Sequence, residues 1–217
     1  MLSRPLRIIE QGPPVRAGGR AAAGFTLIEL LTAIVLLGIL MRLAMPSFVV
    51  WMNNTKVRTV AEALQTGIRL AQAEAVRGNR QVVLSFTNGT PTLNVTAVAN
   101  GSNWSIQTVP LFANSLDADT QATFVQGGAL GDVASGVTIT STPPSVTALC
   151  FNSNGRLVVN TAPGPTGASC AAASASFTID RTGADRPLRV IVGVGGQLRV
   201  CDPNRPTLSA TSPDGCP

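Results

Sequence analysis

The sequence contains no histidine and no tyrosine among its 217 residues. Without histidine, Ser-His-Asp and Cys-His nucleophilic catalysis are excluded, and so are most zinc sites. Charge is scarce as well. Asp, Glu, Lys and Arg make up 12% of the chain, against the ~25% of an average soluble protein. Paired acids in a catalytic pattern are missing, which argues against an enzyme. A chain that is 45% apolar with so little charge is not a disordered polymer either. Its length allows one soluble domain plus an appendage.

The formal charge of +5 is unevenly distributed. Up to Gly24, Arg4, Arg7, Arg16 and Arg20 stand against Glu10 and give +3. The remaining 12 basic and 10 acidic residues give only +2, so bulk charge does not by itself imply a polyanion partner.

What the chain does have is one long apolar run. Phe25–Met41 covers 17 residues, about 26 Å as a helix, close to the ~30 Å of a hydrocarbon core. Arg42 can snorkel at its far end. The small residues Ala21-Ala22-Ala23-Gly24 precede this run, whereas in a secretory signal they follow it. Cleavage there leaves the apolar helix on the mature protein. Pro46 predicts a kink. Beyond it Val57, Val60, Ala61, Leu64, Ile68, Ala71 and Ala75 recur at helical spacing. Arg58, Glu62, Gln65, Arg69 and Gln72 line the opposite face, and Gly78-Asn79 is a stop.

After Arg80 the period changes to 2. The expected strands are 81–86, 92–99, 104–109, 121–125, 137–140, 148–151, 156–160, 176–180, 188–194 and 197–201. Thr87–Thr90 and Asn154-Gly155 read as hairpin turns. Thr161–Ser176 reads as a low-complexity surface loop. The expected organisation is a leader over 1–24, a transmembrane helix over 25–45, an amphipathic helix over 46–79 and a β-rich domain over 80–217.

The segment Gly24-Phe25-Thr26-Leu27-Ile28-Glu29-Leu30 resembles the processing signal of type IV prepilins and type II secretion pseudopilins. The resemblance extends to the basic leader, to one acid inside an uncharged helix and to Pro46. It implies cleavage after Gly24 by a prepilin peptidase and methylation of Phe25. It also implies a helical filament in which Glu29 pairs with the N-terminal ammonium of a neighbouring subunit. An unpaired carboxylate in a membrane helix costs about 2.5–3.5 kcal/mol, so a partner is expected on physical grounds too. Leu70–Arg80, Phe151–Arg156 and Gly196–Pro203 resemble segments of the FimT/GspH branch, the minor pilins and H-type pseudopilins. The implied fold is α+β and type IV pilin-like, with a long kinked helix packed on an antiparallel sheet domain. The implied partners are other pilin or pseudopilin subunits, the peptidase/methylase and the inner membrane. By the positive-inside rule the C-terminal domain lies in the periplasm. No cofactor and no metal are implied.

The four cysteines, Cys150, Cys170, Cys201 and Cys216, never form C-x-x-C. An exported domain is oxidised, so two disulfides are expected. Three pairings exist. The favoured one, Cys150–Cys170 with Cys201–Cys216, closes the low-complexity loop and pins the tail. Gly193–Gly196 lies between strands with no helix after it, so it reads as a turn and not a phosphate loop. Asp117 and Asp119 lack a calcium loop around them. Asp180 and Asp185 beside Arg181 and Arg186 read as a turn with surface ion pairs. FimT-type minor pilins in DNA uptake carry Gly-Arg-x-Arg near the C-terminus, and the matching residues here are Gly196, Gln197 and Arg199. Gln197 replaces the first arginine and brings no charge. The expected DNA contact is to phosphates, through Arg199 with Arg189 and Arg205 as neighbours. The expected function is that of a minor type IV pilin, with a minor pseudopilin of type II secretion as the alternative.

Overall fold

The apolar run and the amphipathic stretch after it form one helix, α1 (Leu27–Arg77). The structure is a computed structural model and describes residues 24–111, 120–133, 135–205, 207, 209 and 211–217. The basic leader before Gly24 and the pair Asp117 and Asp119 lie outside the described residues. Thr26 starts α1: its Oγ1 accepts the Glu29 N–H at 3.3 Å, an N-cap bond that satisfies one orphan donor. Helical residues run on through Pro46. The end of α1 is set by Asn79, in the left-handed region at φ 47°, with the Arg80 N–H donating to the Ala75 carbonyl at 3.2 Å. The described residues up to Leu43 belong to one unit and those from Ala44 onward to a second.

The second unit contains β1 (Val82–Thr87), β2 (Asn103–Thr108), β3 (Phe124–Gly128), the short α2 (Leu130–Val133), β4 (Val137–Thr142), β5 (Ala148–Phe151), β6 (Ala175–Arg181), β7 (Leu188–Val192) and β8 (Leu198–Cys201). They form two four-stranded sheets: sheet A in the order β3-β2-β1-β5, and sheet B in the order β4-β6-β7-β8. Every strand pair is antiparallel.

All seven helix positions predicted from the 3.6 period are buried, together with Gly67. They share one core with Leu84, Phe86 and Ile106 of sheet A and with Phe177, Ile179 and Val190 of sheet B. Phe86 and Phe177 join the sheets, with ring centroids 4.8 Å apart. Gly67 is required by Trp104: a Cβ there would lie 2.7 Å from the indole Cζ2.

The back of sheet A is also covered, which changes three expectations. β1 is buried along its whole length, with Val82, Leu84 and Phe86 in the main core and Val83 in a second cluster. Segment 92–99 is not a strand. Asn94 sits at φ 54°, and its N–H donates to Gln107 Oε1 at 2.7 Å, so side chains of β2 take the place of a ladder. The turn at Thr87–Thr90 therefore opens a long connection between β1 and β2, not a tight hairpin. Segment 161–175 is likewise not all surface. Ala168 and Cys170 pack against Val83 and Ala148, and the Cys150–Cys170 disulfide holds them there.

Smaller differences follow the same logic. Segment 156–160 forms only isolated bridges, at Leu157 and Asn160. The strand expected at 121–125 is shifted to Phe124–Gly128, where a bulge leaves Val125 unpaired opposite Ile106/Gln107 of β2. The turns at Asn154-Gly155 and Gly193–Gly196 form as expected. Gly155 and Gly196 have φ of 71° and 86°, a region suited to glycine.

Candidate functional site: an uncovered helix and an arginine-bearing sheet face

Every described residue from Gly24 to Val49 is exposed. Phe25 is 85% exposed and Leu27 81%. A continuous apolar surface of this size on a soluble monomer marks a membrane or protein contact. Among the described residues, α1 is the one helix long and apolar enough to cross a membrane. Gly24, Phe25 and Thr26 precede the helix and are also exposed. Glu29 lies in the first helical turn, where the positive end of the helix dipole favours a carboxylate. Thr26-x-x-Glu29 has the spacing of a capping box, a feature visible in the sequence but missed by reading Glu29 only as a filament residue.

In the second unit, α1 is held by polar side chains that its apolar period does not reveal. Asn53 Nδ2 donates to the Gly183 carbonyl at 3.1 Å, and its Oδ1 accepts from Arg181 Nε at 2.8 Å. Asn54 Nδ2 donates to Asp185, and its Oδ1 accepts the N–H groups of Asp185 and Arg186 at 3.1 and 3.2 Å. The β6–β7 turn is thus clamped to the helix. The surface ion pairs expected among Asp180, Arg181, Asp185 and Arg186 do not form among the described residues: Asn53 takes the Arg181 guanidinium, Asn54 takes the Asp185 carboxylate, and Asp180 Oδ1 accepts the Arg181 N–H at 2.7 Å. At the other end of the domain, Gln72 Nε2 donates to the carbonyls of Gly155 at 2.8 Å and Gly196 at 3.3 Å. One helix residue therefore fixes both glycine turns.

The arginines separate into different environments. Ile191 pairs with Arg199 and Arg189 with Cys201, so Arg189 and Arg199 lie diagonally on one face of sheet B. Arg189 Nε donates to Thr178 Oγ1 at 3.0 Å on the same face. Arg199 is half-buried, and among the described residues its guanidinium has no hydrogen-bond or ion-pair partner. Arg205 is engaged elsewhere, 3.5 Å from Asp214 and 3.9 Å from Asp202. Gly196 is buried under Gln72, while Gln197 is exposed on the turn. Of the five residues proposed for phosphate contact, the fold brings Arg189 and Arg199 together on one face and commits Arg205 to carboxylates. The cysteines pair as Cys150–Cys170 and Cys201–Cys216.

Comparison with known proteins adds to this geometry. The profile described as Type II transport protein GspH matches residues 60–196, and that of the prokaryotic N-terminal methylation motif matches residues 19–41. No curated protein matches the chain significantly. Among solved structures, the type IV minor pilin FimU of Pseudomonas aeruginosa is 18% identical, with a TM-score of 0.47 over 76% of this chain and 98% of that one. Escherichia coli GspH is 15% identical, with a TM-score of 0.42 over 70% and 94%. The minor pseudopilin EpsH of the Vibrio cholerae type 2 secretion system is 14% identical, with a TM-score of 0.39 over 69% and 99%.

Proposed function

The chain belongs to the GspH family of pilin-like subunits, and from that premise we propose that it serves as a minor type IV pilin that contacts DNA. At the coarser level it is a minor subunit of a type IV pilus or of a type II secretion pseudopilus, with an N-terminal methylation motif and an apolar anchor. Its work is assembly, not chemistry. The observation that carries the reading is the uncovered half of α1. Among the described residues its apolar side chains are exposed, and they require lipid before assembly and neighbouring helices after it. Glu29 supplies the charge that selects a neighbour's N-terminal ammonium. Cleavage after Gly24 creates that ammonium on Phe25 and leaves the helix in the inner membrane with the domain in the periplasm.

N-terminal sequencing of the membrane-extracted protein tests this reading. The expected start is Phe25; a start near Ser47 would mean an ordinary secretory signal and end the filament reading. Glu29→Ala should insert normally, since it makes the helix more apolar, yet fall several-fold in sheared filaments on quantitative blotting.

The DNA contact rests on Arg189 and Arg199, which share a face with the hydroxyls of Thr140 and Thr178. A flat face of this kind touches phosphates and reads no bases. Binding should be indifferent to sequence, and the log–log salt slope on duplex DNA should be about −1.8 for two contacts. Arg199→Ala should flatten that slope by about one unit, and Gln197→Arg should steepen it. No binding at low salt, and none gained with Gln197→Arg, favours the secretion pseudopilin instead.

A further inference from the structure

Sheet B ends on β8, and the edge of that strand is open over two residues. The Gly193 N–H donates to the Gln197 carbonyl at 2.9 Å, and the β7–β8 register continues through Ile191↔Arg199 to Arg189↔Cys201. Hydrogen-bonded and non-bonded pairs alternate in an antiparallel ladder. Arg199 and Cys201 therefore direct their backbone groups at β7, while Leu198 and Val200 direct theirs away from it. Among the described residues nothing bonds to those outward groups. Asp202, next in the alternation, shows how such a group is filled: its N–H donates at 2.8 Å to the Asp214 carbonyl, on the tail held by the Cys201–Cys216 disulfide.

Other edges are managed. The Val158 N–H donates to the Cys150 carbonyl on β5 at 3.0 Å, and Asn100 Oδ1 takes the Ser141 N–H on β4 at 2.7 Å. β3 pairs with β2 across a bulge. Between Leu198 and Cys201 there is no proline, lysine or bulge to discourage pairing.

Beside the open edge lies a groove of about 550 Å³ between α1 and the inner face of sheet B. Ala61, Leu188 and Val200 give it apolar walls, and Arg58, Glu62 and Arg186 flank it. Glu62 is already taken by Arg58 at 2.7 Å, a bond that also raises the arginine's pKa. Arg186 has no carboxylate partner among the described residues, nor has Arg199 on the other side of β8. Three arginines against Glu62 and Asp185, whose carboxylate accepts from the groove-lining Asn54, leave a charge of +1 around the edge.

We propose that an extended strand of another pilin-type subunit adds to β8 at Leu198 and Val200, with apolar side chains over the groove and a carboxylate beside Arg186. Unpaired backbone groups in a row accept a strand and not a helix, and the charge around them selects an acidic one. The proposal rests on the filament reading above and adds to it a site and a chemistry.

The test uses the full chain in filament-forming cells, with p-benzoylphenylalanine in place of Gln65 in the groove or, for comparison, of Thr140 on β4. Irradiation should yield a Gln65-position adduct that maps to a β-strand of a subunit with its own N-terminal methylation motif, at least fivefold more than from position 140. Leu198→Pro removes one outward N–H and no bond to β7. Arg186→Glu reverses the charge. Each should lower the adduct at least fivefold with both disulfides intact on non-reducing gels. If Leu198→Pro loses its disulfides, Arg186→Glu alone decides. An adduct that maps to a partner's helix, equals that from position 140 or survives Arg186→Glu overturns the proposal. Unprocessed protein that never enters filaments would remove the filament reading itself. Processed, incorporated protein with no adduct removes only the strand addition.

Discussion

The two halves of α1 share one secondary structure and obey different rules. From Leu27 to Val49 every side is apolar and every residue is exposed. From Asn53 to Ala75 burial returns at helical intervals, and apart from the half-buried Leu70 the positions between are polar or small. The first half is written for an environment outside the chain, the second for a core that the chain provides. Hydrophobicity separates the two halves, and the spacing of the polar residues in the second shows which of its faces meets the core.

Identical truncations in the two halves should break this symmetry most sharply. Leu64→Ala removes a fully buried side chain and should cost about 2–5 kcal/mol, lowering the Tm of the detergent-solubilised protein by about 5–15 °C. Leu36→Ala, at a 61% exposed position, should leave the domain's Tm unchanged. Equal effects would mean that the exposed half contributes to the fold. Gly67→Val comes next, at about 1–3 kcal/mol, because its side chain overlaps Trp104. Tryptophan fluorescence should shift with it, whereas a valine at Gly38, which has open space around it, should leave the emission unaltered. The smallest effect is expected for Gln72→Ala, about 1 kcal/mol, from the loss of its bonds to Gly155 and Gly196. Hydrogen exchange in the 152–156 and 193–197 turns should quicken together, since one side chain holds both. Quickening of one turn alone would contradict that coupling.

The apolar stripe of α1, the antiparallel strands and the glycine turns were legible because each rests on a local period or a backbone requirement. The polar tethers were not. Gln72 occupies a position on the same helix face as Arg69, and only the distant turns it meets distinguish a tether from a solvated side chain. Asn53 and Asn54 gave no signal for the same reason, and their demand for Arg181 and Asp185 undid the expected ion pairs. Segment 92–99 alternates like a strand, yet Ser105 and Gln107 beneath it bond to its backbone through their side chains, at the Thr92 carbonyl and the Asn94 N–H. Composition read all of 161–176 as surface; most of the loop is exposed, but the disulfide at Cys170 draws Ala168 and Cys170 onto sheet A. Arg199 was picked out by a motif, with Arg189 and Arg205 expected beside it; the register puts Arg189 on the same face, while carboxylates hold Arg205 elsewhere.

The asparagine clamp has a mechanical consequence. A subunit drawn by its anchor is loaded along α1, and Asn53 is the first buried residue that the load meets. The bonds from Asn53 and Asn54 to the β6–β7 turn therefore bear tension before Val57 or Leu64 does, so failure starts at these polar links and travels down the helix as a peel. Short, directional bonds resist a small displacement stiffly and re-form when the load falls. The clamp acts as a shock absorber ahead of the core, and the strength of the domain under pull is decided at the turn between β6 and β7.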